Sequence, residues 1–348
     1  MNEEDFGKGL GDKPDDPKDT RDHRSEEIMA AFPPPVWVEK KPEDFATYPI
    51  HEQDGSGSCV AQTLSKELEV DEFQENGVYR MLSPRSIYAF GFQPNGGMVV
   101  RDATRIAQER GVTLEFLLPS MGKNEAAMRD IADYKTDAKQ VAKVYKPDNI
   151  VFCDSDIETI ASVLQFYQQN NIKKTLGVGL PGWNNGTWLS AFPKPIQQSD
   201  TWYHLVTVTD FGLITGEKFL SIDNSWGTTV GLFGKQFLGV DYSPLLYSAH
   251  YTLNLKDDWR EQSQTVPKPH FQWDRDLGIG ISGVDVLILQ KALQYLGMFP
   301  IDTIINPTGN FQGITRTAVQ LFQQAYGILP VTGYVGPLTR SRLNQIFK

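Results

Sequence analysis

Cysteine is scarce in this chain: 348 residues contain two, Cys59 and Cys153. Two thiols cannot build a secreted disulfide framework, so each is either a reactive group or a small apolar side chain. Positive charge is also in short supply. There are 33 Lys and Arg against 43 Asp and Glu, a net charge of −10, which sets nucleic acid aside as the main partner. No apolar run approaches the roughly 18–20 residues that a membrane span needs. The opening MNEEDFGKGLGDKPDDPKDTRDHRSEE has neither a positive n-region nor an apolar h-region, so no signal peptide is expected. His23, His250 and His270 stand at no metal-ligand spacing from cysteines or carboxylates, and no metal or other cofactor is expected. His51, with no orienting partner in the sequence, reads as a surface residue.

What is present suffices for a packed protein: 40% hydrophobic residues, 11% aromatics and seven tryptophans. A single core rarely outgrows about 250–300 residues, so two domains are expected. Residues 1–31 read as a flexible acidic arm, with ten Asp or Glu against five Lys or Arg in 1–30. Proline-stiffened FPPPVWVEKKPEDF leads into the main domain, which spans 32–256. Helical spacing is clear from Cys59 (Val60, Ala61, Leu64, Leu68) and from Ile157 (Ile160, Ala161, Leu164, Tyr167), the latter with Asp156 as N-cap. Short β-rich runs follow at 174–180, 203–212, 217–226, 235–240 and 248–255. Helices first and strands afterwards predict an α+β domain. Cys153, in NIVFCD, reads as a buried strand residue. Polar 257–276 reads as a linker. Residues 277–348 then carry three helical patterns (284–297, 313–327 and 336–347), the first two stopped by Gly297 and Gly327.

The chemistry concentrates in QDGSGSCVAQTL, residues 53–64. A thiol at a helix start sits beside orphan N–H groups and the positive end of the dipole, which favours the thiolate. Gly55, Ser56, Gly57 and Ser58 let a substrate backbone approach closely. Gln53 is placed to turn an amide N–H toward an oxyanion beside the N–H of Cys59. A nucleophilic cysteine needs a base and the base needs an orienter. His204 lies in one strand pattern and Asn224 in the next, and a turn around Gly212–Gly216 brings them side by side.

These residues stand in the order of the papain family of cysteine peptidases, which the sequence resembles over about 210–220 residues: Gln53, Gly57-Ser58-Cys59, His204, then Asn224-Ser225-Trp226-Gly227. The resemblance implies a two-lobed fold, a helical lobe beside a β-barrel-like lobe. It gives Cys59 the role of nucleophile, His204 the general base, Asn224 its orienter and Gln53 the oxyanion-hole amide. Trp226 shields the Asn–His hydrogen bond from water. LSPRSIYAF and the Asn95-Gly96-Gly97 segment match further landmarks. They place the backbone of Gly97 against the substrate's P2 residue and Gly96, Met98 and Leu205 near the S2 pocket, with Gly57 and Ser58 also in the substrate-binding set. Val60, Tyr203 and Leu205 depart from the usual residues, and Ser56 and Pro94 stand where the family has disulfide cysteines. No stretch matches the family's long helical propeptide, so activity without zymogen cleavage is expected.

The last 72 residues resemble the peptidoglycan-binding type 1 domain through VDVLILQKALQYLG, GNFQGITRTAVQLFQ and GYVGPLTRSRL, with Gln312 in place of one glycine. Its motif residues (Leu289, Leu293, Ala318, Val319 and Phe322) are expected in the core. Together the two resemblances imply a cysteine endopeptidase that takes polypeptide substrates and meets peptidoglycan through its C-terminal module. The protein is expected to be soluble, either cytoplasmic or released or virion-associated, and to act at the bacterial cell wall. Two other readings are a lysin-like enzyme cutting peptidoglycan stem peptides and a virion protein that keeps the protease fold for binding.

Overall fold

The structure, a computed structural model, describes residues 11–13, 23–24, 32–147, 149–252, 268–296, 298–299 and 307–348. Helices dominate the first half of the body: α1 (Cys59–Asn76), α2 (Arg85–Gly91), α3 (Val100–Arg110), α4 (Glu125–Arg129), α5 (Thr136–Ala142) and α6 (Ile157–Gln169). The strands are β1 (His23–Arg24), β2 (Ile150–Cys153), β3 (Leu176–Trp183), β4 (Thr201–Ile214), β5 (Glu217–Asp223), β6 (Lys235–Gly239) and β7 (Ser248–Thr252). Among the described residues they form one sheet in the order β1-β2-β7-β3-β4-β5-β6. The mixed helix-and-sheet architecture is the one the patterning predicted. Asp156 caps α6, its carboxylate accepting from the N–H groups of Glu158 and Thr159.

Each lobe has its own core. In one, Ile160 and Leu164 of α6 pack with Val178, Val206 and Ile222 of the sheet. The other gathers Leu64, Leu68, Ile87, Ala103 and Ile106 around α1 to α3, and it takes in Cys59 and Leu205. β4 therefore faces both cores, and α1 lies against it. The β4–β5 hairpin turns at Thr215–Gly216, both at positive φ (51° and 84°), the backbone twist that suits a two-residue hairpin.

Three helices close the chain: α7 (Val284–Tyr295), α8 (Gly313–Ala325) and α9 (Pro337–Phe347). Leu289, Leu293, Ala318, Val319 and Phe322 are core residues, each at most 2% exposed. One device pins the module's turns twice. The Gln290 amide accepts from the Gly309 N–H and donates to the Asn310 carbonyl and the Thr315 hydroxyl. Gln323 does the same with Gly333, Tyr334 and Thr339.

The structure differs from the sequence reading in four places. His51 is 2% exposed, not a surface residue, because its ring nitrogens meet Gln62 Oε1 and the Glu69 carboxylate at 3.0 Å. Of the expected linker, 257–267 lies outside the described residues, as does Gly297. Trp273, however, is a core residue of the module: it packs edge-on to Phe271 and Phe347, and Asn344 bonds its backbone. The module is more than tethered, since Val70, Val78, Tyr79 and Met81 of the body share its core. Finally, at two places the N-terminal arm is docked. His23–Arg24 pairs in parallel with β2, and Gly11–Lys13 lies against the loop at Met98.

Candidate active site

Cys59 opens α1 behind Ser58, whose side chain does not cap the helix. The first-turn N–H groups and the dipole end are therefore directed at the thiol region. His204 sits on β4 and Asn224 directly follows β5, so the hairpin sets them together as the spacing suggested. Gln53 is fixed to the same strand end by a local pairing. Its N–H donates to the Ser225 carbonyl at 2.9 Å, and the Gly227 N–H donates to His51 O at 3.0 Å. The Ser225 hydroxyl donates to Gln53 Oε1 at 2.6 Å, and one Nε2 hydrogen goes to Ser56 O at 2.7 Å. Cys59, His204, Asn224 and Gln53 are all buried.

A chain of side-chain amides decides the histidine's tautomer. Gln236 Nε2 donates to the carbonyls of Trp188 and Ser190 at 2.7 and 2.8 Å, which cannot donate in return. Its Oε1 must then be the acceptor facing Asn224 Nδ2, at 2.8 Å. That leaves Asn224 Oδ1 to accept from His204 Nε2 at 3.0 Å. The proton is therefore on Nε2, and Nδ1 carries the lone pair. His204 Nδ1 is buried and makes no hydrogen bond among the described residues. An unsatisfied buried acceptor is costly and rare, and here it is the atom a base would use. Trp226 stacks on the imidazole at 4.9 Å with its plane 22° away. Replacing Gln236 with leucine is expected to release the Asn224 amide to rotate and to mix the two tautomers. ¹⁵N shifts of the His204 ring would show it, and an unchanged Nε2-protonated signal would refute the assignment.

Cys59 and His204 are both held neutral. Burial, and then the Asp12 carboxylate, push the Cys59 thiol up to about 12, against backbone hydrogen bonds that lower it. Burial pulls His204 down to about 4, with the Asn224 bond opposing. The docked arm touches the thiol from both sides of this balance, the Asp12 carboxylate raising it and a hydrogen bond with the Gly11 backbone lowering it. Gly11 threads between two loops that close on it: a Cβ on Gly11 would lie 1.9 Å from the Gly57 carbonyl, and one on Gly97 (φ 83°) 2.3 Å from the Gly11 carbonyl. The Met98 N–H donates to Gly11 O at 2.6 Å, and the Tyr247 hydroxyl donates to the Asp12 carboxylate.

This docking also revises the expected substrate contact. Gly97 spends its own backbone internally, its N–H on the Tyr88 hydroxyl at 3.0 Å and its carbonyl on the Gln93 N–H at 2.8 Å. The N–H that faces the cleft segment belongs to Met98. Gly57 donates to Glu125 at 2.7 Å. Ser58 is locked to Ser56 and Gln62. Leu205 is buried, with its carbonyl accepting from the Thr63 hydroxyl at 3.2 Å. Gly96, at φ 81°, turns the loop. Sequence reasoning missed the clamp that holds both glycine segments: Glu125 accepts from Gly57, from the Tyr88 hydroxyl at 2.6 Å and from Arg129. It also missed Gln236. Neither shows its role by spacing, because the decisive partners (Gly57 and Tyr88 for Glu125, Trp188 and Ser190 for Gln236) lie tens of residues away. Among the described residues no group of three or more His, Cys, Asp or Glu could hold a metal ion.

Solved structures with this architecture include xylellain, a cysteine protease from Xylella fastidiosa. It has a TM-score of 0.56 and 19% identity, covering 72% of this chain and 97% of that one. Procathepsin B S9 from Trypanosoma congolense follows at 0.55 and 13%, covering 74% and 90%. Digestive procathepsin L 3 from Tenebrio molitor gives 0.50 and 17%, covering 72% and 79%. The body of the chain has the papain-like fold. Residues 282–343 match the family described as "Putative peptidoglycan binding domain". No curated protein matches the chain by sequence. No helix among the described residues is long and apolar enough to cross a membrane.

Proposed function

We propose that the chain is a cysteine endopeptidase that cuts peptide bonds through an acyl-enzyme on Cys59 and is held at the bacterial cell wall by its C-terminal module. The observation that carries this reading is the orphaned Nδ1 of His204, with its tautomer dictated by Asn224 and Gln236. A base with its lone pair fixed and unspent, together with a thiol at a helix start, is what nucleophilic catalysis requires. With the cleft open, His204 Nδ1 takes the Cys59 proton and the thiolate attacks the scissile carbonyl. The tetrahedral oxyanion is met by the Cys59 N–H and by Gln53 Nε2. The imidazolium returns its proton to the leaving amine, and water then releases the acyl group.

A second reading, cleavage of the peptide part of peptidoglycan, is favoured by the match of residues 282–343. One experiment separates the two. The full chain, a form lacking residues 1–31 and the Cys59→Ala variant of each are incubated with denatured protein and, separately, with purified peptidoglycan, and new amino termini are scored. Cleavage of the protein substrate that depends on Cys59 supports the first reading, and release of amino termini from peptidoglycan alone supports the second. If no form cuts either substrate and a thiol-directed electrophile leaves Cys59 unlabelled, the enzyme reading falls.

A further inference from the structure

Where the C-terminal module meets the body, the structure leaves a cavity of about 430 Å³, within the range that holds a small ligand. The body supplies Tyr48, Phe73 and Tyr79, and the module supplies Tyr295 and Tyr326. Three cations stand around it: Lys173, Lys268 and Arg342, all exposed. No carboxylate is among the described lining residues. Two of the cations stand over aromatic faces. Lys173 lies 5.0 Å over the Phe73 ring and Arg342 4.6 Å over Tyr326. Two acids behind the wall are already engaged: Asp223 with the Thr47 hydroxyl, the Tyr48 N–H and Lys66, and Glu69 with the Tyr79 hydroxyl, the Leu82 N–H and His51.

Flat aromatic faces offer area with little loss of rotamer freedom and suit the apolar face of a sugar ring. The Arg342 guanidinium, which donates one N–H to Gln345 Oε1 at 3.1 Å, together with the lysine ammoniums suits a carboxylate or phosphate. We propose that this junction is a binding site for an anionic saccharide, a sugar unit carrying a carboxylate or phosphate, made jointly by body and module. The proposal deepens the wall-targeting reading and rests on it. The anion has two possible sources, the carboxylates of peptidoglycan and the phosphates of a wall polymer.

The test uses the full chain with Cys59→Ala, so that no ligand is consumed, and isothermal titration. The ligands are soluble disaccharide-peptide fragments of peptidoglycan, the same fragments with their carboxylates amidated, a glycerol phosphate oligomer and neutral chitobiose. Expected is binding of the fragment or the phosphate oligomer that weakens at least tenfold in Lys173→Gln/Arg342→Gln, with the melting temperature unchanged. Amidation is expected to weaken the fragment similarly if carboxylate is the anion, and a preference for the oligomer names phosphate instead. The proposal is overturned if neither anionic ligand binds, if chitobiose binds as tightly, or if the double variant binds like its parent. Co-sedimentation with insoluble peptidoglycan keeps the two readings apart. If parent and double variant sediment alike, the wall reading stands and the pocket falls. If the parent stays in solution, the wall reading falls, and the titration alone decides the pocket.

Discussion

Removing residues 1–31, or replacing Gly11 by alanine, is expected to raise the alkylation rate of Cys59 at pH 7 by on the order of 10²–10³-fold. The thiol is 0% exposed and pushed up to about 12, which leaves roughly one part in 10⁵ as thiolate at pH 7. An unperturbed thiol, near 8.5, has a few per cent. Two raising causes leave with the arm, the burial that Gly11 and Asp12 impose and the Asp12 carboxylate itself, and they outweigh the one lowering cause that leaves with them, the Gly11 backbone hydrogen bond. The point substitution is the cleaner experiment. Deletion also strips His23–Arg24 from the edge of β2, whereas Gly11→Ala acts only where a Cβ meets the Gly57 carbonyl at 1.9 Å. Asp12→Asn should give a smaller gain, since it removes the charge and leaves the cover. Iodoacetamide labelling of Cys59 followed by peptide mass analysis reads all three. Equal rates in parent, deletion and Gly11→Ala would mean that the segment does not guard the thiol. The expectation that the chain works without removal of an N-terminal segment is thereby tested as well.

The site was more legible in the sequence than its surroundings. Cys59, His204, Asn224 and Gln53 announce themselves because their chemistry demands those residue types, and two sit at element ends that glycine and capping patterns mark. β3 to β7 were legible for a similar reason: alternation is a local property. What could not be read was anything held by distant partners. Gly97 was expected to offer its backbone to substrate, but Tyr88 and Gln93 take both groups. His51 gave no sign of burial because Glu69, its partner, lies a further eighteen residues along. Gln236 looked like any strand polar residue until its two carbonyl acceptors came into place. The arm was the largest surprise, since its composition favours solvated chain. The seat at Gly11 is made by the close approach of three glycine backbones, which no composition argument captures.

Replacing Lys174 by methionine is expected to cost about 3–5 kcal/mol of stability, which lowers the melting temperature by roughly 6–20 °C for a domain of this size. The reason lies in α1, the helix that carries Cys59. Its apolar positions were legible, but buried polar residues stand among and around them: Lys66, Glu67, Glu69, Asp71 and Glu72. Asp71 is matched by the Lys174 ammonium at 2.5 Å and the Thr252 hydroxyl at 2.7 Å. Both charged side chains are at most 5% exposed, so water cannot take over for a missing partner. Even with Lys174 in place, burial holds the Asp71 carboxyl above its ordinary 3.8. A carboxyl raised in the fold binds its proton more tightly there than in the unfolded chain. Its contribution is therefore present at low pH and lost as pH rises through the folded value. Without the lysine that value rises further, so the penalty of Lys174→Met should be largest at pH 7–8 and shrink as pH falls toward 5. Adding Asp71→Leu should recover much of the loss at neutral pH, because an apolar pair of similar volume avoids the desolvation that the ion pair only offsets. Thermal unfolding of the parent, the single variant and the double variant across that pH range provides the measurement. A pH-independent penalty, or no recovery in the double variant, would show that Lys174 supports α1 by packing and not by charge.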